Sequence, residues 1–275
     1  MSVPRFSLNS QTIKQWSLEE LVSGCVAADV SAVGLWREPV QEYGLERAAK
    51  LVRDAGLSVT SLCRGGFFTA TDPAERAAKL DDNRTAIEEA ATLGTDTLVL
   101  VSGGIPQGGT VGDARSMVAD ALAELAPFAG EHGVRLAIEP LHPMFCSDRC
   151  VVSTLGQALD LAAPFPTEQV GVVVDTYHIW WDPQVREQIV RAGREGRIAS
   201  FQVADWITPL PEGVLLGRGQ LGDGAIEMRA LREVTDEAGW AGRPIEVEIF
   251  NEALWSRDGS EVLRETLERF TEHVL

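Results

Sequence analysis

The run Leu136-Ala137-Ile138-Glu139-Pro140-Leu141-His142-Pro143 constrains this chain more than any other segment. An apolar stretch of strand length ends in a carboxylate, and a histidine follows three residues later. The arrangement recurs. Val172-Val173-Val174-Asp175 leads to His178, and Ile245-Glu246-Val247-Glu248 leads to Phe250-Asn251. Buried strands that finish in acidic or chelating side chains are what a parallel β/α barrel uses to build a site at the C-terminal ends of its strands.

The rest of the chain keeps the same rhythm. Strand-like runs fall at 5–9, 31–35, 57–63, 97–101, 134–139, 170–175, 198–203 and 244–249. Several, such as Thr97-Leu98-Val99-Leu100-Val101, are continuously apolar, as in a parallel sheet covered by helices. Helical patterns lie between them. Ser17 and Glu20 form a capping-box signature. Asp72-Pro73 opens a helix over 73–93 that Gly94 ends, and His132-Gly133 closes one over 112–132. The segment 258–274 places Leu263, Leu267, Phe270 and Val274 on one face. Eight such units in 275 residues predict α/β architecture: a single (β/α)8 TIM barrel, one domain spanning 1–275. The rival is an open doubly wound sheet, but no Gly-x-Gly-x-x-Gly follows the first strand. Loops after strands are long and glycine-rich (Arg64 to Phe68, Gly103 to Gly109, Gly217 to Gly224), whereas loops before strands are short. The elaborated face is therefore the one at the strand C-termini.

Composition narrows the function. The chain is 45% hydrophobic, enough for a large core. Lys+Arg total 24 against 41 Asp+Glu, a formal charge of −17 that repels phosphate backbones and argues against nucleic acid as a partner. No stretch has the length of a membrane span, and Met1 to Phe6 lacks the apolar core of a leader, so a cytoplasmic location is expected. Cys146-Ser-Asp-Arg-Cys150 is a weak metal or disulfide signal, and the four cysteines are expected to be free thiols.

Strands five to eight end at Glu139, Asp175, Gln202 (with Asp205 just past it) and Glu248. Neighbouring strands lie roughly 5 Å apart, so four inward oxygens can converge. Three close carboxylates repel one another, and a divalent cation resolves this; an all-oxygen set suits Mn2+ or Mg2+. The alternative is that each acid pairs separately with an arginine or faces solvent at a loop start. Glu246 shares the face of Glu248 and is expected deeper in the barrel.

The chain resembles the xylose-isomerase-like family of sugar-phosphate isomerases and epimerases over essentially its whole length. The resemblance is carried by Ala137-Ile138-Glu139-Pro140, Val174-Asp175-Thr176-Tyr177-His178, the Gly217 to Gly224 loop and Val247-Glu248-Ile249-Phe250. It implies metal ligands at Glu139, Asp175 and Glu248, with Gln202 where the family has a histidine. Large subunits of bacterial C-glycoside deglycosidases are similar in having that Gln and a histidine soon after the first Glu, here His142. That likeness implies C–C cleavage of a 3-oxo-C-glycoside, a small β-rich partner subunit and an oligomeric assembly. Epimerisation or isomerisation of a ketose or inosose is the competing outcome, since all three begin by removing a proton next to a ketone. A non-catalytic sugar-binding barrel is the reading from another class. The abasic-site endonucleases, family cousins with a histidine-rich zinc cluster, fit poorly with four histidines.

Within this frame Glu139, Glu248 and His142 are the candidate catalytic groups, with His142 the expected base because its ordinary pKa lies near neutrality. The other reading of His142 is a loop histidine that packs. His178, Arg218, Trp36 and Phe67 are candidate substrate contacts, against structural or solvated alternatives. Trp36, Trp180, Trp181, Trp206 and Trp255 all follow strand ends and together suggest an aromatic rim.

Overall fold

The computed structural model describes residues 3–211 and 214–275. Met1 and Ser2, part of the segment read for a leader, lie outside the described residues. Eight parallel strands pair in chain order and close into a barrel: β1 Phe6–Asn9, β2 Ala32–Trp36, β3 Ser58–Gly66, β4 Thr97–Val101, β5 Arg135–Ile138, β6 Val170–Asp175, β7 Ile198–Val203 and β8 Ile245–Val247. Closure sets Phe6 opposite Ile245 and Leu8 opposite Val247. Each expected strand is present. β3 runs three residues beyond its expected end, and β5 and β8 stop one residue short of Glu139 and Glu248.

The connecting helices are α1 Leu18–Ala27, α2 Arg37–Tyr43, α3 Leu45–Asp54, α4 Pro73–Leu93, α5 Val111–Glu131, α6 Leu155–Ala162, α7 Thr176–Ile179, α8 Val185–Arg194, α9 Met228–Thr235, α10 Glu252–Trp255 and α11 Gly259–His273. Their ends follow capping chemistry. Ser17 and Glu20 close a reciprocal box on α1. Asp72 accepts from Glu75 N ahead of Pro73, and Gly94 ends α4 at φ 78°. Thr110 and Asp113 form a second box on α5, whose C-cap is His132.

Two apolar layers hold the barrel. The larger lies between the strands and the helices and includes Leu8, Leu98, Ile87 and Phe270. The smaller lies inside the barrel, where Cys63, Val99, Ala137 and Val173 meet. Because side chains alternate along a strand, residues two positions on point inward as well: Glu139 after Ala137, Asp175 after Val173. Gly34 on β2 is required by this interior, since a Cβ there would lie 2.3 Å from Glu246 Oε1.

The four cysteines are free. Burial pushes the Cys25 thiol up to about 12, so it packs as a small apolar group. Cys150 Sγ lies 3.2 Å from Ser102 Oγ, not against Cys146. Among the described residues no helix is long and apolar enough to cross a membrane.

Candidate active site

The site is built upward from Glu246. Its Oε1 accepts from Asn9 Nδ2 at 2.7 Å, Gln202 Nε2 at 3.0 Å and Ser61 Oγ at 3.0 Å. Its Oε2 accepts from Thr60 Oγ1 at 2.6 Å and Ser61 Oγ at 2.8 Å. This carboxylate is buried and saturated by neutral donors, which is how a buried charge is tolerated without an ion pair. It also fixes Gln202. With Nε2 committed to Glu246, the carbonyl Oε1 of Gln202 turns away and, buried, finds no hydrogen-bond partner among the described residues.

The next groups toward the strand ends are less well served. Asp175 and Gln202 are paired across β6 and β7. Glu139, Asp175 and His178 bring one donor atom each within 4.8 Å of one another, all buried. Glu248 Oε1 accepts from Asn9 Nδ2 at 3.1 Å and from Trp36 Nε1 at 3.3 Å. Arg218 Nη1 reaches Glu248 Oε2 at 3.1 Å and Asp175 Oδ2 at 3.5 Å. The guanidinium is clamped 4.7 Å from the ring centres of both Tyr177 and Phe250. Nδ1 of His178 accepts from the backbone N–H of His142 at 3.2 Å, so the proton of the neutral ring sits on Nε2. That atom lies 3.2 Å from Arg218 Nη2, where two donors face each other.

The electrostatics follow. Burial, then the charges of Glu248 and Asp175, hold the Glu139 carboxyl well above the ordinary range, and burial raises Asp175 as well. Burial pushes Glu248 up to about 7 despite Arg218. Burial, then Arg218 and His142, hold His178 well below its usual value, so it is neutral. Among the described residues Arg218 is the only arginine paired with these buried carboxyls, reaching Glu248 and Asp175 but not Glu139. The orphaned Gln202 oxygen and the buried carboxyls of Glu139, Asp175 and Glu248 fit a divalent cation, whereas His178, with Nδ1 taken by the His142 N–H and its proton on Nε2, has no lone pair to offer.

Other expected contributors lie elsewhere. The His142 side chain is absent from the lining of the small cleft above these acids, a cavity of about 110 Å³. Its ring lies tilted over Trp206 (4.7 Å) and edge-on to Trp181 (5.5 Å), and its Nδ1 accepts from Met144 N. Prolines 140 and 143 flank it, and Pro143 starts a short 3-10 turn that carries the ring outward. Asp205 is no free ligand: its oxygens accept from the backbone N–H groups of Trp206, Gly222, Gly224 and Ile226, folding the glycine-rich loop that carries Arg218. The tryptophans divide. Trp180, Trp181 and Trp206 pack with Tyr177 and His142, whereas Trp36 and Trp255 flank Phe250 beside the cleft. Trp36, Phe67, His178 and Arg218 all line the cleft.

Sequence reading missed Asn9, which bridges Glu246 and Glu248, though its place as the last residue of the first strand was a usable signal. It also missed Arg64 and Arg149, both on the cleft wall.

Comparison with known proteins places the barrel in a family. A family model described as the xylose isomerase-like TIM barrel matches residues 23–270. An inosose isomerase of Bacillus velezensis is 24% identical over 241 residues, covering 86% of this chain and 83% of that one. A crystal structure of a Sinorhizobium meliloti 1021 protein superposes with TM-score 0.96 at 42% identity, covering 99% of both chains. The zinc-bearing crystal structure of the IOLI protein superposes with TM-score 0.84 at 20% identity over 98% of each chain, a likeness of fold. The chain belongs to the xylose isomerase-like TIM barrel family.

Proposed function

We propose that this barrel is a divalent-metal-dependent isomerase or epimerase that removes a proton next to the ketone of a sugar or cyclitol. One observation carries the reading: Gln202, in register with Asp175, has its amide nitrogen held by Glu246 and its buried oxygen left without a partner, at strand ends that also carry the buried Glu139 and Glu248. The inosose isomerase relatives support the reaction class. Glu139, Asp175, Gln202 and Glu248 are the proposed holders of the ion, and their oxygens favour Mn2+ or Mg2+. Bound there, the ion supplies Lewis acidity toward a carbonyl oxygen.

The chain's own groups do the rest. Glu248, anchored by Asn9 and Trp36, takes the proton from carbon, and Glu139 is the group that delivers one back. Return to the opposite face of the same carbon gives an epimer, and to the former carbonyl carbon an isomer. Arg218 and the Nε2–H of His178 are donors for substrate oxygens. The cleft geometry favours the two glutamates over His142 as proton carriers.

Cleavage of a 3-oxo-C-glycoside is the second reading. It is favoured by a groove of about 660 Å³ that shares Trp36, Leu215 and Phe250 with the cleft and could take an aromatic aglycone. A β-rich partner subunit, an oligomer and a cytoplasmic location belong with these proposals.

The test is solvent deuterium exchange into inososes, ketoses and 3-oxo-glycosides, with Mn2+, Mg2+ and after chelation. Metal-dependent exchange with epimer or isomer formation is expected. Aglycone release would select the second reading, and absence of both metal and exchange would leave the non-catalytic barrel.

A further inference from the structure

Arg64 stands on the wall of the same cleft as Glu139, His178, Arg218 and Glu248, and Arg149 joins it there. Arg64 makes no side-chain hydrogen bond and no ion pair among the described residues, although it is half-buried. Its guanidinium lies 4.2 Å from the ring centre of Phe67 and 5.9 Å from that of Trp36, which set its position without neutralising it. Its neighbour Arg37 shows the contrast: that guanidinium is held by Glu89 at 2.5 Å and Asp82 at 2.9 Å. Arg149 has only Asp148, 3.7 Å away. Burial holds Arg64 below the usual arginine range, with Arg149 and Arg37 adding to it, although the charge of Glu38 acts more strongly the other way than either arginine.

Both arginines are mounted on braced backbone. Asn83, buried on α4, accepts from Gly66 N at 2.6 Å and donates to Gly66 O at 2.8 Å, fixing the exit of β3 just after Arg64. Phe67 follows in a left-handed conformation (φ 54°), held by its N–H to Val101 O at 2.7 Å. The Arg149 carbonyl accepts from Gly103 N at 2.8 Å. A chain with a strong acidic excess thus holds two poorly paired cations on one cleft wall.

We infer that Arg64 and Arg149 form an anion subsite, so that the preferred substrate is a keto sugar bearing a carboxylate or phosphate away from the ketone. The inference rests on the enolising reading above. It also has a charge argument of its own. A divalent ion and Arg218 together balance Glu139, Asp175 and Glu248, leaving the charge of Arg64 and Arg149 for the ligand. Arginine is suited to this because its planar donors match carboxylate and phosphate oxygens.

The test uses three compounds alike except at C6: D-fructose, D-fructose 6-phosphate and D-fructuronate. Solvent exchange at C3 is followed with the Mg2+-loaded full chain. At least one anion is expected to exceed fructose in kcat/KM by about 30-fold, and the stronger of the two identifies phosphate or carboxylate. Arg64→Gln should remove most of that advantage, lowering kcat/KM for the anion far more than for fructose, with Arg64→Lys intermediate. Equal rates on all three compounds, or an equal fall on all three in Arg64→Gln, would overturn the subsite. If no compound exchanges, the enolising reading fails for these ketoses and the subsite is judged separately by calorimetric titration with inorganic phosphate. Binding weakened about tenfold or more in Arg64→Gln and unchanged in the exposed Arg84→Gln would uphold it; the same affinity in wild type and Arg64→Gln would refute it.

Discussion

Glu246 and Glu248 stand two residues apart at the end of one strand, point into one barrel and share a donor in Asn9. Their surroundings differ sharply. Glu246 has neutral donors on both oxygens and a glycine opposite to make room for it. Glu248 has two long N–H hydrogen bonds and the Cys63 thiol at 3.9 Å on one oxygen, an arginine on the other, and two more buried carboxyls nearby. The first arrangement orders the barrel. The second is electrostatically incomplete and is the place to look for chemistry, since pKa displacement by burial and like charges clusters at working sites.

The sharpest way to break this comparison is to neutralise each acid in turn. Glu248→Gln and Glu139→Gln should each lower metal-dependent exchange at least about 1,000-fold while leaving the melting temperature of the metal-free protein unchanged or higher, because a disfavoured buried charge is gone. Glu246→Ala should do the reverse in emphasis. It leaves Gln202 and Ser61 without their acceptor, removes one of two partners from Asn9 and Thr60, and should cost about 2–4 kcal/mol in denaturant unfolding.

A smaller effect is expected at Gln202. Gln202→Leu should weaken metal binding about 10–100-fold by calorimetry, whereas Gln202→His should shift preference toward zinc. No change in either variant would detach Gln202 from the site.

Acidity gives a subtler test. Glu248 titrates near 7 when folded, above its ordinary 4.5, so the unfolded chain releases that proton first. Between those values the folded state holds more protons, and the stability of metal-free protein should fall as pH rises through that window. Metal competes with the same proton, so affinity should drop as pH falls below about 7, and added metal should abolish the stability loss. The smallest effect expected is for His142→Ala, under about threefold in kcat, because only its backbone N–H touches the site through His178.

Much of this was legible in the sequence. Eight apolar runs with capped helices between them gave the barrel, and strand-end acids gave Glu139, Asp175 and Glu248. Orientation within loops was not legible. His142 lies three residues past Glu139, yet two prolines and a 3-10 turn point its ring at Trp206. The apolar run over 57–63 stops short of Arg64; the extension of β3 to Gly66, made possible by close approach of bare glycine backbone to Val101, puts Arg64 on the wall. Asp205, just past Gln202 in sequence, binds loop amides whose positions are set by tertiary folding.

The most direct measurement is calorimetric titration of the metal-stripped chain with Mn2+, comparing wild type with Glu246→Gln and the Glu139→Gln/Glu248→Gln pair. The account predicts one ion per wild-type chain with proton release, weakened binding in Glu246→Gln, and none in the pair. Absence of binding in wild type, or undiminished binding in the pair, would contradict it.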